Sequence, residues 1–178
     1  LDQVEVMAQL GFDSFAVAGH DRGGRVARRM ALDHPTRVSR LAVLDIVPTL
    51  RLYTDSTRAF ATAYFHWYFL IQPAPLPETM IERSVECWLE QKFARVRPGA
   101  ITPEAYAEYL RCYRRPDVIH ASCEDYRAGA TIDLVHDEAD QAQTIACPVL
   151  ALWGEQAPMH GLYDVLDTWR PQAPRVSG

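Results

Sequence analysis

The stretch Phe15-Ala16-Val17-Ala18-Gly19-His20-Asp21-Arg22-Gly23-Gly24 decides the fold. An apolar run leads into Gly19-His20-Asp21-Arg22-Gly23-Gly24 and a helical pattern follows, so an aspartate stands at a strand-to-helix turn. A small residue two positions before Asp21 and two small residues after it let the backbone turn sharply enough to lift one side chain clear, which is the geometry of a nucleophile elbow. Asp21 occupies a place more often held by serine. A carboxylate there can attack a saturated carbon directly and be recovered by hydrolysis of the resulting ester. The competing reading of the same residues is a polar turn in which Asp21 merely caps the next helix.

Upstream, Val4, Met7, Ala8 and Leu10 recur at helical spacing and stop at Gly11, after which Ser14 to Ala18 reads as a short buried strand. Downstream, Arg22 to His34 is predicted as a helix ended by Pro35, and Leu41 to Val47 as an aliphatic strand with Asp45 near its end. Strand, helix, strand in this order implies parallel strands joined by a right-handed crossover, with ligands beyond the carboxyl ends of the strands. Asp21 and Asp45 both lie there. From residue 49 to about 144 the pattern changes to helical periods broken by prolines, with aromatic residues gathered between Tyr64 and Phe69. Cys147 to Gly154 then returns as a strand and Leu162 to Trp169 as a short helix. The expected organisation is an α/β core segment over 1–48, a helical lid over 49–144 and a resumed core over 145–178.

The 178 residues are 48% hydrophobic and 23% charged, which fits a globular unit with a real core. Eighteen basic against 23 acidic residues give a formal net charge of -5, so no overall pull toward nucleic acid or an anionic membrane is expected. The densest apolar stretch, Tyr64 to Ile71, contains His66 and is far shorter than the ~18 residues that a spanning helix requires. With no leader pattern at its start the protein is expected in the cytoplasm. Cys87, Cys112, Cys123 and Cys147 are scattered, without metal spacing, and read as free, mostly buried thiols. Neither a Gly-x-Gly-x-x-Gly nor a metal-ligand pattern occurs, so no cofactor and no metal are expected.

Taken together, His20-Asp21-Arg22-Gly23-Gly24-Arg25, Ala31-Leu32-Asp33-His34-Pro35, Leu44-Asp45-Ile46-Val47-Pro48, Phe65-His66-Trp67, Cys123-Glu124-Asp125-Tyr126-Arg127-Ala128 and Leu152-Trp153-Gly154 resemble the α/β-hydrolase fold. Within it they are similar to the fluoroacetate (haloacetate) dehalogenases. Arg22 discriminates, because haloalkane dehalogenases and epoxide hydrolases usually place tryptophan directly after the nucleophilic aspartate. The resemblance covers essentially the whole chain and implies a partial α/β-hydrolase fold, a parallel sheet with a helical lid. Such hydrolases carry further strands before the elbow and a catalytic histidine near their end, so the chain is expected to be an internal segment of a longer enzyme. Histidine is expected soon after Val176-Ser177-Gly178, and the segment alone is expected to be inactive.

The resemblance implies hydrolytic dehalogenation of a short 2-haloacid, with water as co-substrate and a homodimer as the assembly left open. It makes Asp21 the nucleophile and Asp45 the acid that orients a histidine base; the competing readings are a helix cap and a strand-end loop aspartate, and Glu155 competes weakly with Asp45. Arg22 and Arg25, three apart on the first helical turn, would hold the substrate carboxylate, since cations at a helix N-terminus need a counter-charge. For Arg28 and Arg29 the reading is a solvated basic face. His66, Trp67 and Tyr126 would donate hydrogen bonds to the departing halide, where charge develops; taken singly, lid packing competes. His20 is expected to pack beside the elbow. An epoxide hydrolase or haloalkane dehalogenase, and a catalytically inactive binding protein of the same fold, are the alternatives.

Overall fold

The computed structural model describes residues 2–178. They divide into two compact units, one running to Ala63 and resuming at Leu134, the other spanning Tyr64–Asp133.

In the first unit α1 (Asp2–Gln9), β1 (Phe15–His20), α2 (Arg22–Asp33) and β2 (Val38–Leu44) come first. Gly11, at φ +84°, takes the left-handed turn that ends the α1 segment. Two short helices follow, α3 (Thr49–Thr54) and α4 (Arg58–Ala63). The second unit then holds α5 (His66–Leu70), α6 (Leu76–Glu82), α7 (Val85–Phe93), α8 (Pro103–Tyr113) and α9 (Pro116–Gly129). The chain goes on through α10 (Ile132–Ala139), β3 (Val149–Leu152), α11 (Pro158–Leu162), α12 (Val165–Trp169) and β4 (Val176–Ser177).

The strands form one parallel sheet in the order β1-β2-β3-β4. His20 pairs with Leu44, and Leu44 with Leu152, so three strands end level with one another. Parallel strands covered by helices are apolar along their length. Val38, Leu41 and Val43 of β2 and Val149 and Ala151 of β3 are buried accordingly. Trp169 fills the space beside them, fully buried, and donates its indole N–H to the Ile46 carbonyl at 3.2 Å. On α2 the buried positions Gly24, Ala27, Arg28 and Ala31 follow helical spacing and turn one face to β1 and β2.

Several expected boundaries move. The second strand starts at Val38 and ends at Leu44, which leaves Asp45 just beyond the ladder. The helix expected over 162–169 is two helices, because Tyr163 is extended and Asp164 caps α12 by accepting from the Asp167 N–H at 3.0 Å. The compact helical unit is also shorter than the 49–144 lid read from the sequence. Leu52 and Phe60 are buried, with Phe60 edge-on to Tyr163 at 6.3 Å, and Asp137 pairs with Arg28, so the flanks of that stretch join the sheet unit.

Helices of the second unit pack around Leu70, Ile81, Val85, Trp88, Leu89, Ile119 and Cys123. All four cysteines are free; Cys123 and Cys147 are buried, Cys87 exposed. Burial raises the thiols of Cys123 and Cys147, so both stay protonated and act as small apolar side chains.

Candidate active site

Asp21 sits between β1 and α2 with φ +50° and ψ -123°, a conformation that only strong local constraint holds in a residue with a side chain. The constraint is the close approach of two glycines. A Cβ on Gly19 would lie 2.5 Å from the Gly23 carbonyl oxygen, and one on Gly24 would lie 2.9 Å from the Gly19 oxygen and 2.7 Å from Ile46 Cδ1. Strand and helix therefore cross at a distance that no larger residue permits. Asp21 holds the N-cap position of α2, yet its side chain makes no capping hydrogen bond; its backbone carbonyl instead accepts from the Gly24 N–H at 3.0 Å. The carboxylate is exposed at the end of the strand, as an elbow requires.

Asp45 follows β2 as Asp21 follows β1. Its N–H donates to the Leu152 carbonyl at 2.7 Å, while the Asp21 N–H reaches the Leu44 carbonyl at 3.4 Å. Asp21 and Asp45 thus follow adjacent strands at the carboxyl edge of the sheet. Asp45 also has positive φ, +54°, and its Oδ1 is buried without a hydrogen-bond partner among the described residues. A buried carboxylate oxygen in that state is costly unless a donor reaches it. Glu155 is exposed, beyond β3.

Arg22 and Arg25 are half-buried on the first turn of α2. Arg25 Nη1 donates to the Val47 carbonyl at 3.1 Å and to Thr49 Oγ1 at 2.9 Å, which holds its guanidinium in place. Thr49 is 4% exposed. Nothing in the sequence marked it, since a threonine after Pro48 reads as a helix start.

Arg28 corrects the solvated-face reading. It is 5% exposed, its Nη1 lies 2.6 Å from Asp137 Oδ1, and its Nε and Nη2 donate to Gln172 Oε1. Its position three and four residues from Ala31 and Gly24, on the buried stripe of α2, puts it inside. Arg29 is partly exposed and pairs with Asp33 and Asp140.

The second unit brings His66, Trp67 and Tyr126 together. Tyr126 on α9 stands edge-on to the His66 ring at 5.7 Å and to the Trp67 ring at 5.6 Å, both at the start of α5. Such T-shaped pairs set the edge of one ring against the face of the other, the favoured aromatic arrangement. Burial first, then the positive charges of Lys92 and Arg95, pushes the His66 imidazole down to about 3, so it is neutral at ordinary pH and offers one N–H. Arg127, the next residue after Tyr126, pairs with Glu78 at 2.7 Å and with Glu124 at 2.6 Å. Its part in the motif was not legible from spacing alone.

An aspartate on a strained turn at the carboxyl edge of a parallel sheet defines a class, and comparison with known proteins agrees. The profile of the alpha/beta hydrolase fold family matches residues 1–176, and the chain belongs to that family. The resemblance to haloacetate dehalogenases holds as well. The chain is 46% identical over 174 residues to the fluoroacetate dehalogenase of Burkholderia sp, a match covering 96% of this chain and 57% of that protein. It is 30% identical over 182 residues to the soluble epoxide hydrolase of Corynebacterium sp. (strain C12), covering 99% of this chain and 62% of that one. Among solved structures, a candidate alpha/beta hydrolase from Nostoc sp PCC 7120 superposes with a TM-score of 0.95 at 57% identity, covering 99% of this chain and 62% of that chain. The chain therefore spans about three fifths of the length of these relatives. No helix among the described residues is long and apolar enough to cross a membrane.

Proposed function

We propose that the protein carrying this chain hydrolyses short 2-haloacids, fluoroacetate foremost, to the 2-hydroxyacid and halide. The observation that carries the proposal is Asp21 on its strained turn, level with Asp45 and one helical turn from the anchored Arg25. A carboxylate oxygen of Asp21 attacks the halogen-bearing carbon; the new C–O bond forms as the C–X bond breaks, and the electron pair leaves with the halide. Water, deprotonated by a histidine base, then attacks the ester carbonyl, and collapse frees the hydroxyacid and restores the Asp21 carboxylate. The similarity to haloacetate dehalogenases supplies the histidine, and the buried Oδ1 of Asp45 suits the acid that orients it.

Arg22 and Arg25 take the substrate carboxylate in this reading. Guanidinium forks match a carboxylate, and a helix start that carries two cations and no acid favours an anion beside it. His66, Trp67 and Tyr126 are the donors to the halide, a small anion that needs several as its charge develops. Two substrates, a small-molecule 2-haloacid and water, suffice; a cytoplasmic location belongs to the same proposal. Epoxide opening by the same aspartate is the second reading, favoured by the similarity to the Corynebacterium enzyme. It has no need of Arg25.

The test measures fluoride release from fluoroacetate and diol formation from a neutral epoxide by the full protein. Fluoride release that depends on Asp21, with negligible diol, is expected. Rapid epoxide turnover without halide release would overturn the haloacid reading in favour of the epoxide one.

A further inference from the structure

We propose that Arg127 is the positioning residue that fixes Tyr126 against His66 and Trp67 and so sets the affinity of this aromatic group for the departing halide. The inference rests on the halide role proposed above for those three residues.

His66 and Trp67 open α5, a helix of little more than one turn, whereas Tyr126 belongs to the fourteen-residue α9. Edge-on aromatic contacts are worth about 0.5–1.5 kcal/mol each and leave sliding along the helix axis poorly determined. Donors that must converge on one small anion tolerate little sliding. Arg127 supplies a further restraint. Its Nε and Nη2 both donate to the Gln72 carbonyl, at 3.1 and 2.7 Å, and Gln72 lies two residues past the end of α5. A backbone carbonyl cannot swing away as a side chain can, so this contact ties the end of α5 to α9. The same guanidinium holds Glu78 of α6 through both oxygens, at 2.7 and 3.2 Å, and Glu124 one turn back at 2.6 Å. Adjacent residues of a helix point about 100° apart, so Arg127 clamps α5 and α6 from one side while Tyr126 meets His66 and Trp67 on another.

The chemistry is that of a fork rather than of a point charge. Five contacts to three partners need the planar guanidinium, and lysine has no equivalent set. The side chains of Arg127 and Glu78 are 16% and 15% exposed, so solvent screens the pair only in part. Such a pair adds little net stability over an apolar pair but penalises displacement of either partner. Glu78, Glu124 and His120 place ligand atoms within 4.8 Å of one another, and the Arg127 guanidinium is the cation that this cluster holds.

The test is inhibition of fluoroacetate turnover in the full protein by sodium chloride, as a halide analogue, and separately by sodium glycolate, the product. Glycolate lacks a halide and reads the carboxylate site. In Arg127→Met the chloride inhibition constant should rise about tenfold or more while the glycolate constant stays within about twofold; Arg127→Lys should fall between wild type and Arg127→Met. If Arg127→Met does not fold, Glu78→Gln replaces it, leaving the contacts to Gln72 and Glu124, with an expected rise of a few fold. An unchanged chloride constant in the folded variant, or an equal rise in both constants, overturns the positioning role alone. Should chloride inhibition of the wild-type protein be indifferent to Trp67→Phe and Tyr126→Phe, the halide role fails, and the role of Arg127 with it.

Discussion

Replacing Arg28 by methionine keeps most of the side-chain volume and removes only the guanidinium, so its effect isolates the buried network beneath α2. Arg28 and Asp137 are 5% and 4% exposed. In the variant, among the described residues, Asp137 loses the one partner of its Oδ1, its Oδ2 already having none, and Gln172 Oε1 loses both donors from Arg28. An uncompensated charge left in such a place costs about 3–5 kcal/mol. With a urea dependence of about 3 kcal/mol/M, the denaturation midpoint should fall by roughly 1–1.7 M. Pairing the change with Asp137→Leu removes the stranded charge and should recover at least about half of the loss, because an apolar replacement of a buried ion pair is often close to neutral. The assay is equilibrium urea unfolding of the full protein followed by far-ultraviolet circular dichroism. A single variant within about 0.5 kcal/mol of wild type, or a double variant less stable than the single, would refute the reasoning.

The elbow allows a graded test: Gly19→Ala should cost about 2 kcal/mol or more and most activity, whereas Gly23→Ala, with nothing within 4 Å of the new methyl, should leave the melting temperature nearly unchanged. Arg25→Leu should lower fluoroacetate turnover at least tenfold to a hundredfold, in line with about 1.5–3 kcal/mol for a charge-assisted contact, and steady-state kinetics on a folded variant with full activity would dismiss the carboxylate site. Asp21→Asn should abolish halide release, and mass spectrometry should find no substrate adduct on the variant. His66 is held neutral down to about pH 3, whereas an unfolded histidine takes up its proton near 6.5; stability is therefore untouched above that range and falls as pH drops from about 6.5 toward 3. In His66→Phe that part of the acid loss should shrink, as thermal melts across the range would show.

The elbow was legible in the sequence because its local requirements stand side by side: an apolar strand, Gly19, an aspartate, then Gly24 on the first turn of the following helix; Gly23, read as equally needed, has open space around it. Asp45 was legible for the same reason, as a carboxylate at the end of an aliphatic run. Arg28 was misread although the signal lay in view, since Gly24, Ala27 and Ala31 place it on the buried stripe. A run of arginines looks solvated until its partners are known, and Asp137 and Gln172 stand more than a hundred residues away. The flanks of the helical stretch were assigned to the lid because helical periodicity reports secondary structure and not which core receives the apolar face. Leu52 and Phe60 have the pattern of lid helices and are buried in the sheet unit.

Ile46 joins the two carboxylates mechanically. Its carbonyl accepts from the fully buried Trp169, and its side chain lies so near Gly24 that a methyl there would collide with it. The backbone that carries Asp45 is thereby wedged between the sheet core and the helix that starts at Asp21. Local opening at either acid has to unseat the other, and such coupled openings approach the free energy of global unfolding. Amide protons at Asp21 and Asp45 should then exchange with deuterium among the slowest of the chain and with matched rates. Their spacing is thereby a property of the core.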